Sequence, residues 1–156
     1  MLEELQQLYQ EVILDHGRSP RNFRRPDHPS ALAHGHNPMC GDTLTVFLSV
    51  DGDKTITDAA FIGKGCAISM ASASLMTEVI RNKTPEEADK IFEAFHRLCT
   101  EDDATMSDVS AIAAEDAERL EVLAGVRQVP GRVKCATLAW HAMHAALHGE
   151  GETTTE

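Results

Sequence analysis

Three of the four cysteines stand where the character of the sequence changes. Cys40 closes a stretch rich in Pro, Arg, His and Gly and directly precedes an alternating apolar run. Cys66 follows the break Gly63-Lys64-Gly65 and opens a run of small residues. Cys135 falls in the first turn of the last helical segment. At such boundaries a side chain can turn toward a shared site without distorting regular structure. Unpaired backbone N–H groups at a helix start also favour negative charge, so a thiol there is expected to shift toward thiolate, the form that binds metal and attacks electrophiles. Asp42, two residues after Cys40, can offer an oxygen from the same turn, and Gly41 and Gly65 let the backbone pass close to a bound ion. Three soft thiolates and one carboxylate form a plausible four-coordinate zinc set. The close C-x₂-C pairs of a structural zinc module are missing. On spacing alone, a shared site and three separate core cysteines both stay open. Cys99 continues the apolar stripe of Phe92 and Phe95 and is read as a small core residue.

The elements that must position these residues follow from periodicity. Leu5, Leu8, Val12 and Ile13 form a stripe that predicts a first helix over residues 3–15. Residues 17–38 read as an extended connector. Leu44, Val46, Leu48 and Val50 alternate with polar residues, predicting a strand over 43–50; Asp51-Gly52-Asp53 makes a turn, and a second strand follows over about 55–62. A helix of small residues is expected from Ala67 to Arg81. Thr84-Pro85-Glu86-Glu87 is a helix start with an N-cap, a proline in the first turn and a capping-box glutamate. Residues 101–110 read as a loop, 108–123 as a helix ended by Gly125, and 133–148 as the last helix. One domain over 1–148 with a disordered tail over 149–156 accounts for the chain.

Composition excludes several functions. Fourteen basic residues against 25 acidic ones give a formal net charge of −11, which leaves no dense basic footprint for nucleic acid. No apolar run reaches membrane-spanning length. Met1-Leu2-Glu3-Glu4 lacks the basic start and apolar core of a signal peptide, so a cytoplasmic setting with reduced cysteines is expected.

The local sequence around the three cysteines resembles the SufU branch of the IscU/SufU family of iron–sulfur assembly proteins. Asn37-Pro38-Met39-Cys40-Gly41-Asp42 is similar to the first cysteine motif of that family. Gly63-Lys64-Gly65-Cys66-Ala67-Ile68-Ser69, with Ser72-Ala73-Ser74 after it, is similar to the second, and Arg132-Val133-Lys134-Cys135-Ala136-Thr137-Leu138 to the third. The opening Leu8-Tyr9, Asp15-His16 and Pro20-Arg21-Asn22-Phe23 agree, so the likeness runs over residues 5–148 in order. Lys134 stands where IscU-type scaffolds carry a metal-binding His, and the segment from Cys99 to Glu121 fits an insertion of the SufU branch.

This resemblance implies an α+β fold, a small antiparallel β-sheet with helices packed on one face, with a third strand in the connector near residues 31–36. It implies Zn²⁺ held by Cys40, Asp42, Cys66 and Cys135, with iron or a transient Fe–S cluster as the alternative cargo. It implies a zinc-dependent sulfur acceptor taking persulfide sulfur from a SUF-type cysteine desulfurase and handing it to downstream Fe–S assembly proteins, the alternative being a scaffold for a labile cluster. Asp42, the hardest ligand, would be the one displaced. Cys40, on the connector, is the expected nucleophile. Arg132 and Lys134 flank Cys135 and could steady thiolate or persulfide charge, with Lys134 also able to pair with Asp42. His34 and His36 are expected to be solvated, as are His141, His144 and His148, for which no acidic partner is evident in the sequence. Trp140 and Met143 are expected in the core.

Overall fold

The computed structural model describes residues 2–106, 109 and 112–154, and of residues 2–6 and 8 the backbone alone. In chain order the elements are α1 (Leu2–Arg18), β1 (Ala31–Asn37), β2 (Asp42–Val50), β3 (Ile56–Lys64), α2 (Ala67–Ile80), α3 (Pro85–Thr100), α4 (Ala114–Glu121), a short 3-10 helix (Ala124–Gln128), α5 (Pro130–Leu147) and β4 (Glu152–Thr154). The expected third strand is β1. The side chains of Leu5 and Leu8, and Asp108 and Ser110, lie outside the described residues.

The sheet order is β3-β2-β1-β4. β1 and β2 form an antiparallel hairpin whose register places Asn37 opposite Asp42, and β2 pairs antiparallel with β3. The β2–β3 turn is tied by Asp51, whose Oδ1 accepts from the backbone N–H groups of Asp53 and Thr55 at 2.9 Å. Alternation does what the sequence dictates: Ala33, Leu44, Val46, Leu48 and Phe61 are buried together in the core that the helices close. On the other face the Arg25 guanidinium stands 5.5 Å over the Phe47 ring. The connector also protects the outer edge of β3, where Phe61 accepts from Arg24 N–H and donates to the Asn22 carbonyl.

Two expectations need correction. Residues 152–154, placed in a disordered tail, form β4, which pairs parallel with β1 at His34, Gly35 and His36. The sheet is therefore mixed and four-stranded. A free β1 edge and a run of β-branched threonines supply the reason. Residues 112 and 113, expected inside a helix over 108–123, precede α4, and the stretch to Gly125 is shared between α4 and the 3-10 helix. Acidic residues in the first turn support the late start.

The helices bury small and aromatic residues. In α2, Ser69 to Thr77 are all buried, because the helix lies among α1, α5 and the sheet. Small side chains permit that close approach, and their hydroxyls are used internally: Ser72 accepts from Trp140 Nε1 at 3.2 Å and donates to the Ala136 carbonyl. Trp140 is fully buried and stacks on Phe95 at 4.7 Å. The α3 start is the expected capping box, with Thr84 and Glu87 satisfying each other's backbone N–H.

Candidate metal centre

Cys40 sits in the tight connection between β1 and β2, rather than on a loose connector. Gly41 takes φ 74° there, the left-handed region that glycine enters freely, and its N–H bonds the Asn37 carbonyl at 2.9 Å. The turn presents the Cys40 thiol to solvent, beside Met39 at 72% exposure. Asp42, the first residue of β2, is 2% exposed. Its Oδ1 accepts from Cys66 N–H at 2.9 Å, and its Oδ2 is 3.9 Å from Cys66 Sγ. Cys66 is the N-cap of α2, its sulfur accepting from Ser69 N–H at 3.4 Å.

Cys135 is fully buried. Because α5 starts at Pro130, this residue lies in the second turn, not the first as the sequence suggested. Its sulfur is 3.0 Å from that of Cys40, although the two residues are 95 apart in sequence. The ligand atoms of Cys40, Asp42 and Cys135 all lie within 4.8 Å of one another, and Cys66 joins this cluster through Asp42.

Burial, followed by the hydrogen bond with Cys40, drives the Cys135 thiol well above the ordinary range. This corrects the expectation that a helix start lowers it: buried in the second turn, Cys135 is beyond the free N–H groups. The Arg132 guanidinium, exposed at the head of α5, faces Cys135 first and Cys66 next, and these sulfurs hold its proton more firmly. Lys134 is half-exposed, and no ion pair joins it to Asp42. Cys99 is fully buried in the core, its thiol pushed up to about 12 by burial, so it is inert.

The residues present fit a borderline divalent cation. Three sulfurs and a carboxylate are a zinc-type donor set, and a cation would reverse the penalty that burial sets on thiolate formation. The surroundings leave room for it. A Cβ on Gly65 would stand 2.8 Å from Asp42 Oδ1 and 3.1 Å from Ser69 Oγ, and that buried hydroxyl has no hydrogen-bond partner among the described residues.

Sequence reasoning missed Asn37. It is fully buried, and its Nδ2 donates to Cys40 Sγ at 2.9 Å and reaches Cys135 Sγ at 3.7 Å. The available signal was a buried-strand amide three residues before a cysteine. His144 and His148 also depart from expectation. Both bond Asp89 of α3, at 2.8 and 3.0 Å, because α3 packs along α5 and brings an acid that sequence distance hides. His34 bonds Thr45, and with His36 and Thr43 it lines a groove of about 700 Å³ on the face of the sheet away from the helices. No cysteine lines it.

Comparison with known proteins agrees with this architecture. The NifU-like N terminal domain family matches residues 8–119, a span that takes in Cys40, Asp42 and Cys66. The chain is 39% identical over 149 residues to the zinc-dependent sulfurtransferase SufU of Bacillus subtilis (strain 168), covering 94% of this chain and 93% of that protein. It is 36% identical over 146 residues to the iron–sulfur cluster assembly scaffold protein IscU of Streptococcus pyogenes serotype M1, covering 94% and 86%. A crystal structure from Fervidobacterium islandicum AW-1, described as an iron–sulfur cluster assembly scaffold protein for the SUF system, superposes with a TM-score of 0.75 at 28% identity, covering 90% of this chain and 97% of that one.

Proposed function

The chain belongs to the NifU-like N-terminal domain family, which includes SufU- and IscU-type proteins, and on that premise we propose that it is a zinc-dependent sulfur acceptor of iron–sulfur cluster assembly, loaded by a SUF-type cysteine desulfurase in the cytoplasm. The observation that carries this reading is one solvent-exposed thiol, Cys40, held 3.0 Å from a buried one, Cys135, beside a buried carboxylate.

Cys40, Asp42, Cys66 and Cys135 would hold the ion. When bound, Zn²⁺ supplies charge that keeps these sulfurs deprotonated and adds no redox chemistry of its own. The remaining work belongs to the protein. Cys40, as thiolate, attacks the outer sulfur of the desulfurase's cysteine persulfide. A new S–S bond forms at Cys40, the donor's S–S bond breaks, and the donor cysteine leaves as its thiolate. The Asn37 N–H, already aimed at Cys40 Sγ, steadies negative charge there. The Arg132 cation lies beside the other two sulfurs, those of Cys135 and Cys66. Asp42 has one oxygen committed to Cys66 N–H, while the other meets the Cys66 thiol at 3.9 Å, a contact weak enough to be exchanged for a position at the site. Downstream Fe–S assembly proteins would receive the sulfur.

The test is to mix the protein with a desulfurase and cysteine and follow persulfide on the chain by mass spectrometry. Cys40→Ala should abolish acceptance, while Cys99→Ala, a core substitution, should retain it. Full transfer by Cys40→Ala would refute the assignment.

A second reading, a scaffold for a labile cluster, draws on the likeness to the Streptococcus scaffold protein. Lys134, in the position where scaffold-type chains carry a metal-binding His, favours the first. Aerobically purified protein separates the two: stoichiometric zinc supports sulfur transfer, and brown protein with iron and sulfide supports the scaffold.

A further inference from the structure

We propose that Asp89, His144 and His148 form a second, sulfur-free site for a borderline divalent cation of the Zn²⁺ type, separate from the cysteine centre. The three donors lie on two packed helices. His144 and His148 are four residues apart on α5 and so share one face, and Asp89 faces them from α3. One carboxylate oxygen meets His144 Nδ1 at 2.8 Å and the other meets His148 Nε2 at 3.0 Å, and all three ligand atoms fall within 4.8 Å of one another.

These separations are close to those around a tetrahedral ion. With bonds of about 2.1 Å, ligand atoms stand roughly 3.4 Å apart, so each histidine nitrogen lies a few tenths of an ångström nearer its carboxylate oxygen than an ion would set it, within a cluster no wider than 4.8 Å. Two imidazoles and a carboxylate select transition-type cations over Mg²⁺ or Ca²⁺, which prefer all-oxygen sets. The arrangement is also held in place. The ring of Phe92, one helical turn beyond Asp89, packs 5.8 Å from His144, and the two histidine rings are 4.3 Å apart. Pre-set donors lose little freedom on binding.

The side chains of His144 and His148 are 44% and 47% exposed and that of Asp89 27%. An ion can therefore enter from solvent, and coordination positions remain open to water or to a donor from another molecule. Each ring would bind through the nitrogen now turned toward Asp89, its remaining proton moving to the ring's other nitrogen. Nine residues separate Cys135 from His144 on α5, about 13 Å along the axis and half a turn round. The two centres therefore load independently. The ion would join α3 to α5, the pair that encloses the Phe95–Trp140 stack.

Zn²⁺ titration of the full-length protein by isothermal calorimetry, compared with the double variant His144→Gln/His148→Gln, tests this. Wild type should take up one equivalent more than the variant, and Asp89→Asn should lose or weaken the same equivalent while far-UV circular dichroism stays unchanged. Co²⁺ supplies a second readout: the absorption lost in the double variant should lack a thiolate charge-transfer band. Equal stoichiometry in the two proteins, or a charge-transfer band in the lost absorption, would overturn the proposal.

Discussion

At the scale of single residues, the chemistry turns on how three sulfurs with different exposure share one neighbourhood. Cys40 is exposed, Cys66 half-buried and Cys135 buried, so Cys40 is the most accessible of the three and, under the proposed function, the one a partner's persulfide would meet first. Asn37 touches two of them through one N–H donor group, and a hydrogen bond to a charged partner contributes about 1.5–3 kcal/mol. Asn37→Asp keeps the shape, removes that donor and places a carboxylate against the sulfurs. Sulfur acceptance should slow roughly tenfold or more, with native circular dichroism; an unchanged rate would remove Asn37 from the machinery. Ser69 gives a prediction of the opposite sign. Its buried hydroxyl has no partner among the described residues, and such a group costs on the order of 1 kcal/mol. Ser69→Ala should therefore leave the metal-free protein as stable or slightly more so, measured as the denaturant midpoint.

At the scale of elements, the centre is assembled from the ends of three pieces: the β1–β2 turn, the start of α2 and the second turn of α5. Their mutual position rests on α2 and α5 packing closely through small residues and on the sheet holding Asp42 beside Cys66. β4 bears on this frame from the other edge. It satisfies backbone groups of β1 at His34, Gly35 and His36, on the strand that leads into Asn37 and Cys40. Truncation after Gly149 should raise amide hydrogen exchange in β1 selectively, with little change in α3. Uniform exchange across both would show that β4 is energetically idle. The strand was invisible in the sequence because three residues, two exposed and Thr153 half-buried, have too little burial to show periodicity, and pairing with an existing edge was what ordered them.

At the scale of the whole molecule, two histidines set a pH limit. Burial lowers the proton affinity of His16, which bonds Ser74, and burial followed by the charges of His96 and His144 lowers that of His141. For a base whose folded value lies below its unfolded 6.5, the unfolded chain binds the proton first. Stability is complete above pH 6.5 and falls as pH drops below it toward the folded values. Chemical denaturation at pH 7.5 and 5.5 should show the loss, and His141→Phe should reduce the difference between the two pH values. Among the described residues no helix is long and apolar enough to cross a membrane, and the net charge of −11 can steer a basic partner at low ionic strength.

What the sequence determined by itself was local. Alternation, caps and breaks report free energies decided within a few residues, and they marked β2, β3, α2 and α3 and set Cys40, Cys66 and Cys135 near element boundaries, while grouping these cysteines with Asp42 as one expected ligand set came from the motifs shared with the family. Family likeness added the strand at β1. Only the tertiary structure decided which thiol is exposed, that Asn37 donates to two sulfurs, that Cys135 is buried past the free helix end, and that Asp89 lies between His144 and His148. Each of those depends on contacts between groups distant in the chain, where packing of whole helices and strands, rather than the preference of any one segment, fixes the distance.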